Sequence, residues 1–200
     1  CSVLTAPATG EQCLILEAQD VTARRLAEVR LQQIAFHDPL TGLPNQRRFI
    51  ECLEGTAARH RDAAPSRGAV GWAVVVLGCD RFKRINDHLG RVAGDHLLQL
   101  MARRLQEQLR PADVLARLEG DEFAVLIDGL DDEHAAVAPV KRMLQALDRS
   151  YLLAGEEVDL SASAGVAFDV ATTHSADRRL AEDAVRAARS ALVRAKRDGG

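Results

Sequence analysis

No apolar run in these 200 residues approaches the roughly 20 needed to cross a bilayer, and no signal-peptide pattern opens the chain. Positive charge is not in surplus. Lys and Arg number 26 against 29 Asp and Glu, a formal net charge of -3, which argues against a nucleic-acid polymer as partner. Cys1, Cys13, Cys52 and Cys79 include no CxxC pair, so reduced thiols and a cytoplasmic location are expected. The six histidines show no zinc-ligand spacing. What is present is 47% hydrophobic and 28% charged residues, enough to bury the core of one ordinary domain with an extension.

The chain is organised around Val114–Ile127. Two apolar runs, Val114-Leu115-Ala116 and Phe123-Ala124-Val125-Leu126-Ile127, flank a polar bend and read as a β-hairpin. Glu119, Asp121 and Glu122 crowd that bend beside Gly120, which lets the backbone turn and a ligand come close. Acids at this density repel, so a divalent metal or a nearby Arg or Lys is expected to offset them. The plain alternative is an exposed acidic turn.

Upstream, Gln12–Ala18 reads as a strand and Asp20 as a helix N-cap. Residues 21–36 contain no Gly or Pro and read as a short amphipathic helix that packs on a domain or pairs with a second chain. His37–Asn45, with two prolines and a glycine, is a structured turn in which Asn45 can cap a helix over 46–60. Trp72–Leu77 is a buried strand. It leads into a polar loop from Gly78 to Gly90 and then a helix from about 92 to 109. A helix over 132–148, a two-strand region over Tyr151–Phe168 and a last helix over 177–197 complete the pattern. Alternating strands and helices around a central hairpin predict an α/β (α+β) domain of the ferredoxin or palm-like nucleotide-cyclase type, a mostly antiparallel sheet flanked by helices.

Glu119-Gly120-Asp121-Glu122-Phe123 resembles the signature of the GGDEF family, the diguanylate cyclases of cyclic-di-GMP signalling, with glutamate in place of the first glycine. Other segments carry the same resemblance over roughly 37–199. Asp38–Asn45 is similar to the family's DxLTGLxNR stretch, with Gln46 where arginine is usual. Asp80, Phe82, Lys83, Ile85, Asn86 and Asp87 match DxDxFKxIND, with Gly78 where its first aspartate belongs. Ser163–Ala167 resembles SxGVA, and Ala195–Gly199 the terminal AKxxG. Residues 1–20 resemble the last strand of a PAS sensor domain and the start of its exit helix. The expected organisation is therefore a PAS tail over 1–20, a signalling helix over 21–36 able to form a homodimer, and a GGDEF domain over 37–200.

The resemblance implies GTP held with Mg²⁺ or Mn²⁺, the ion being required only if nucleotide binds. Its implied ligands are Asp121, the backbone carbonyl of Cys79 and the carboxylate that Gly78 lacks. It assigns Phe82, Lys83, Asn86, Asp95 and Lys196 to the nucleotide, with Asn86 and Asp95 reading the guanine edge, chemistry an amide and a carboxylate suit. Read residue by residue, Asn86 is equally a turn cap, Asp95 a solvent-facing helix residue, and either lysine a solvated one. Arg110 and Asp113 lie at the spacing of the family's inhibitory RxxD site for cyclic-di-GMP; a local Arg–Asp surface pair is the alternative.

Gly78 and Glu119 together remove a metal carboxylate and add negative charge where backbone should approach phosphate. The expected function is a degenerate, catalytically silent GGDEF domain that regulates, by binding GTP or cyclic-di-GMP or by dimerising, within a PAS–GGDEF protein. An EAL phosphodiesterase domain is the expected neighbour, so the parent protein would be a cyclic-di-GMP phosphodiesterase. The alternatives are a working diguanylate cyclase that makes cyclic-di-GMP from two GTP, and a scaffold that binds no nucleotide.

Overall fold

A computed structural model describes residues 2–5, 12–15, 34–62, 71–170 and 178–198. The chain divides into two compact units, Cys1–Ala35 and Phe36–Gly200. In the first, β1 (Ser2–Thr5) pairs antiparallel with β2 (Gln12–Ile15), Ser2 opposite Ile15 and Thr5 opposite Gln12. The predicted strand over 12–18 is thus described over its first four residues. The predicted helix over 21–36 lies outside the described residues except for 34–36, which are helical.

The second unit opens with the turn at 37–45, closed by hydrogen bonds from Asp38 N–H to Leu43 O and Gly42 N–H to Asp38 O. Asn45 caps α1 (Gln46–Asp62): its Oδ1 accepts from the Arg48 N–H at 3.0 Å, satisfying one of the free donors of the first turn. The central strand β3 (Gly71–Cys79) is buried along its whole length. It lies between β5 (Glu122–Leu130) and β8 (Ala162–Val170), and β4 (Val114–Arg117) extends the sheet beyond β5. The order β4-β5-β3-β8, antiparallel at each pairing, is that of a ferredoxin-like βαββαβ sheet, as predicted.

Side chains alternate along a strand, so the two faces of β3 feed two cores. Val75, Leu77 and Cys79 pack with Phe123 and Val125 under α3 (Arg91–Gln106) and α4 (Val137–Leu147). Trp72, Val74 and Val76 pack on the other face, with Phe49, Ile50 and Leu53 of α1 and with α5 (Arg178–Asp198). The buried stripe of α5 is Ala181, Val185, Ala188 and Leu192, at steps of four, three and four. One further turn along that stripe stands Lys196. The helix approaches the sheet closely at Gly165, where a Cβ would lie 2.1 Å from Ala188 O and 2.2 Å from Leu192 N.

Two expectations are corrected. The polar loop read between Gly78 and Gly90 contains a helix, α2 (Phe82–Leu89), and the following helix ends at Gln106. Phe82, Ile85 and Leu89 recur at helical spacing and dock on the core, while Lys83, Arg84 and Asp87 face outward and disguise the segment as loop. Tyr151–Phe168 is likewise not one two-stranded region. β6 (Tyr151–Leu153) and β7 (Glu156–Val158) form a separate hairpin, and β8 leaves it to join the central sheet. The turn between β6 and β7 takes left-handed backbone at Ala154 and Gly155. The predicted helix over 132–148 is present as a short 3-10 turn, Glu133–Ala136, followed by α4.

Candidate functional site

The register of the sheet assembles the site. Gly78 sits opposite Glu122 of β5 on one side and Ser163 of β8 on the other, so the end of β3 and the acidic bend are brought edge to edge. The bend itself is closed by the Glu122 N–H donating to Glu119 O and the Leu118 N–H to Glu122 O, each at 2.9 Å. Gly120 adopts φ +56°, the left-handed backbone that favours glycine.

Three side-chain cations close on this bend, two of them on its acids. Lys196 Nζ donates to Asp121 Oδ2 and to the carbonyl of Cys79, both at 3.0 Å. Arg189 Nε donates to Glu122 Oε2 at 2.7 Å, while its Nη2 is buried without a partner. Arg117 donates to Gly120 O through Nε (3.2 Å) and Nη2 (2.8 Å), and its Nη1 reaches both oxygens of Asp38 at 3.0 and 3.1 Å. Asp38 also accepts from the Thr41 N–H and hydroxyl. Burial alone would raise the Asp38 carboxyl, but the Thr41 donors and the Arg117 guanidinium overcome it and hold the group below its ordinary range. Glu119 remains exposed. The Cys79 thiol is pushed up to about 12, chiefly by burial and then by Asp121, with Lys196 opposing.

Beyond β3, Asp80 is only 7% exposed. Its Oδ1 accepts from the Ser163 hydroxyl at 2.8 Å, and its Oδ2 has no partner. Asn86 on α2 faces the first turn of α3, where its Oδ1 lies against Gly94; a Cβ there would meet it at 1.9 Å. The neighbouring Asp95 is exposed, as is Lys83, and Phe82 is half-buried against the core. The structure thus brings Asn86 close to the residue preceding Asp95, and gathers Cys79, Asp121 and Lys196 at the strand end. Arg110 and Asp113 sit elsewhere, in the turn before β4. Asp113 Oδ2 accepts from the backbone N–H of Arg110 at 2.9 Å, its Oδ1 is buried without a partner, and the guanidinium of Arg110 is exposed. A simple Arg–Asp side-chain pair is therefore not what this turn contains.

The residues present do not fit a divalent ion at Asp121. Position 78 supplies no side chain, the Cys79 carbonyl and Asp121 Oδ2 are both taken by an ammonium, and a Cβ on Gly78 would lie 2.7 Å from that same Nζ. Among the described residues no group of three or more His, Cys, Asp or Glu converges on a metal-sized space. Sequence reading anticipated a compensating Arg or Lys but did not single out Arg117, Arg189 or Gly94 for a role. Only Gly94 carries a local signal, a glycine inside a helix, which calls for a packing reason.

An antiparallel βαββαβ sheet with an acidic hairpin turn beside a strand-to-helix junction has the palm-like fold that nucleotide cyclases share. Comparison with known proteins carries this further: the model of the family described as "Diguanylate cyclase, GGDEF domain" matches residues 35–200, and the chain belongs to that family. It is 40% identical over 142 residues to the cyclic di-GMP phosphodiesterase NbdA of Pseudomonas aeruginosa, covering 71% of this chain and 17% of NbdA. To the diguanylate cyclase DgcP of the same organism it is 38% identical over 171 residues, 84% of this chain and 23% of DgcP. The chain thus spans about a fifth of the length of these relatives. Among solved structures, the GGDEF domain of P. aeruginosa TpbB superposes with a TM-score of 0.71 at 33% identity, covering 82% of this chain and 90% of that one. The chain is a cyclic-di-GMP signalling domain of the GGDEF type. No helix among the described residues is long and apolar enough to cross a membrane.

Proposed function

We propose that this GGDEF domain is catalytically silent and acts as a regulatory module, responding to GTP or cyclic-di-GMP, within a longer cytoplasmic protein. The observation that carries the reading is the strand end. Gly78 offers no carboxylate, and the remaining candidate ligands, Asp121 and the Cys79 carbonyl, are bonded to Lys196. Phosphoryl chemistry on GTP rests on metal ions that neutralise the triphosphate, and that provision is missing. Glu119 adds negative charge at the bend.

What supports nucleotide binding without turnover is the base-reading half. Asn86 and Asp95 offer an acceptor, donors and a carboxylate to the guanine edge, and Lys83 stands exposed nearby on α2. Affinity for GTP is then set by base contacts and a few phosphate contacts, on the order of 10 μM to 1 mM. For cyclic-di-GMP, the exposed Arg110 offers a fork to guanine or phosphate oxygens, and the half-buried Asp113 a carboxylate that can accept from a guanine edge. The hairpin β1–β2 supports the reading of residues 1–20 as the end of a PAS-like domain, with 21–36 as a signalling helix and dimer contact. The likeness to a phosphodiesterase, NbdA, supports an EAL domain elsewhere in the parent protein.

The competing reading, a working diguanylate cyclase, is favoured by the 38% identity to DgcP. Incubation of the purified domain with GTP and Mg²⁺ or Mn²⁺ separates the two. The expected result is no cyclic-di-GMP above a no-enzyme blank; accumulation well above it establishes the cyclase instead.

A further inference from the structure

We infer that Lys196 is a built-in cation: its ammonium occupies the place at the end of β3 where a divalent ion would sit, and it keeps such ions out. Three observations meet on one atom. Nζ lies 3.0 Å from Asp121 Oδ2 and 3.0 Å from the Cys79 carbonyl, the two oxygen ligands that remain at this strand end. A Cβ on Gly78 would lie 2.7 Å from Nζ, 3.1 Å from Cε and 3.3 Å from Asp121 Oδ2, so the lysine tip fills the space a side chain at 78 would enter. The pair is mostly sheltered, with side chains 32% and 24% exposed, so it is more than a solvated surface contact.

The fold fixes the lysine there. Lys196 continues the stripe Ala181, Val185, Ala188 and Leu192, and Gly165 lets the α5 backbone settle onto β8 just before it. An ammonium has three N–H donors. Two are used by Asp121 and Cys79, and the third is left for an anion such as a phosphate oxygen. The lysine therefore does part of what an ion does, neutralising Asp121 and presenting positive charge, with a single charge and no Lewis acidity. A divalent ion could enter only by expelling it, breaking two charge-assisted hydrogen bonds to gain one carboxylate and one carbonyl, a poor set for Mg²⁺ or Mn²⁺.

The test uses Mn²⁺ alone, with no nucleotide, so its outcome does not depend on whether GTP binds or turns over. Mn²⁺ binding is followed by electron paramagnetic resonance on the whole chain, on Lys196→Met and on Lys196→Arg. The wild type and Lys196→Arg are expected to show no site tighter than about 1 mM. Lys196→Met is expected to bind at least about tenfold more tightly, and Asp121→Asn added to it should abolish the gain. Circular dichroism establishes that each variant is folded. Sub-millimolar binding to the wild type that Asp121→Asn removes overturns the inference, as do equal affinities of the wild type and folded Lys196→Met.

Discussion

The two halves of the candidate site have been treated differently by the sequence. Around α2 and α3, on the proposed reading, Asn86 and Asp95 are the guanine-reading pair: Asp95 is exposed, Asn86 is half-buried with its Oδ1 against the buried Gly94, and neither is held in an ion pair among the described residues. At the hairpin bend, every acid except Glu119 is bonded to a resident cation: Asp121 to Lys196 and Glu122 to Arg189. One half holds no ion pair among the described residues, the other is already neutralised at Asp121 and Glu122. On the proposed reading, recognition of a base and provision for chemistry on its phosphates are separable within one fold. The first needs donors and acceptors on helix surfaces, whereas the second needs charge held deliberately out of balance.

That contrast can be broken most severely through Gly165. Gly165→Ala drives a methyl into the α5 backbone, and a loss of about 3 kcal/mol is expected in chemical denaturation. Lys196 and Arg189 move with the helix while Asn86 and Asp95 do not. An unchanged midpoint would mean that α5 is not seated there. Next in size, Arg110→Ala should weaken metal-free cyclic-di-GMP binding roughly thirtyfold, about 2 kcal/mol, in calorimetry. Equal affinity in the variant would assign Arg110 to the solvated surface and leave the base-reading half as the domain's sole nucleotide contact.

Gly94→Ala addresses that half directly. The new methyl meets the end of a flexible side chain, so the fold survives while Asn86 is displaced. GTP affinity should fall about tenfold and its preference over ATP should collapse, because an unpaired polar group is what rejects the wrong base. Indistinguishable GTP and ATP titrations of the wild type would favour the scaffold reading. The smallest effect concerns the clamp on the bend. Asp38→Asn should cost about 1 kcal/mol at neutral pH at this half-buried position. Because the folded carboxyl titrates below its unfolded value, its contribution is complete above about pH 4 and disappears as pH falls through the folded value. Wild type and variant should therefore converge in acid melts.

Much of this was legible beforehand where local pattern and burial agree. Uninterrupted, β-branched Trp72–Leu77 reads as a buried strand, and the apolar runs on either side of Gly120 read as a hairpin, as they are in the structure. The helix α2 escaped notice because three of its eight residues, Lys83, Arg84 and Asp87, are charged and its apolar stripe is a single narrow row. The break between β7 and β8 escaped because alternation continues from Val158 to Phe168 across it. At the site, the absent carboxylate of Gly78 was plain, but the partner of Asp121 was not. Lys196 is separated from Cys79 by 117 residues, and only the packed sheet and helix bring them together. For Asp113 the alternative of an Arg–Asp side-chain pair fails for the opposite reason: its partner is close in sequence, but it is backbone and not side chain.

Cys79 gives the strand end a clock. Cys79 is 1% exposed and burial pushes its thiol up to about 12, so the reactive thiolate is scarce and shielded while β3 stays paired. Reaction with a thiol reagent must wait for the strand end to open, and the rate of that slow labelling measures the opening equilibrium. With Cys1 and Cys13 replaced by serine, the half-buried Cys52 on α1 supplies a second, faster phase for calibration. A ligand that ties Lys196 or the hairpin bend more firmly to β3 would slow the Cys79 phase and leave the Cys52 phase alone, so occupancy could be read in seconds or hours with no label added to the ligand.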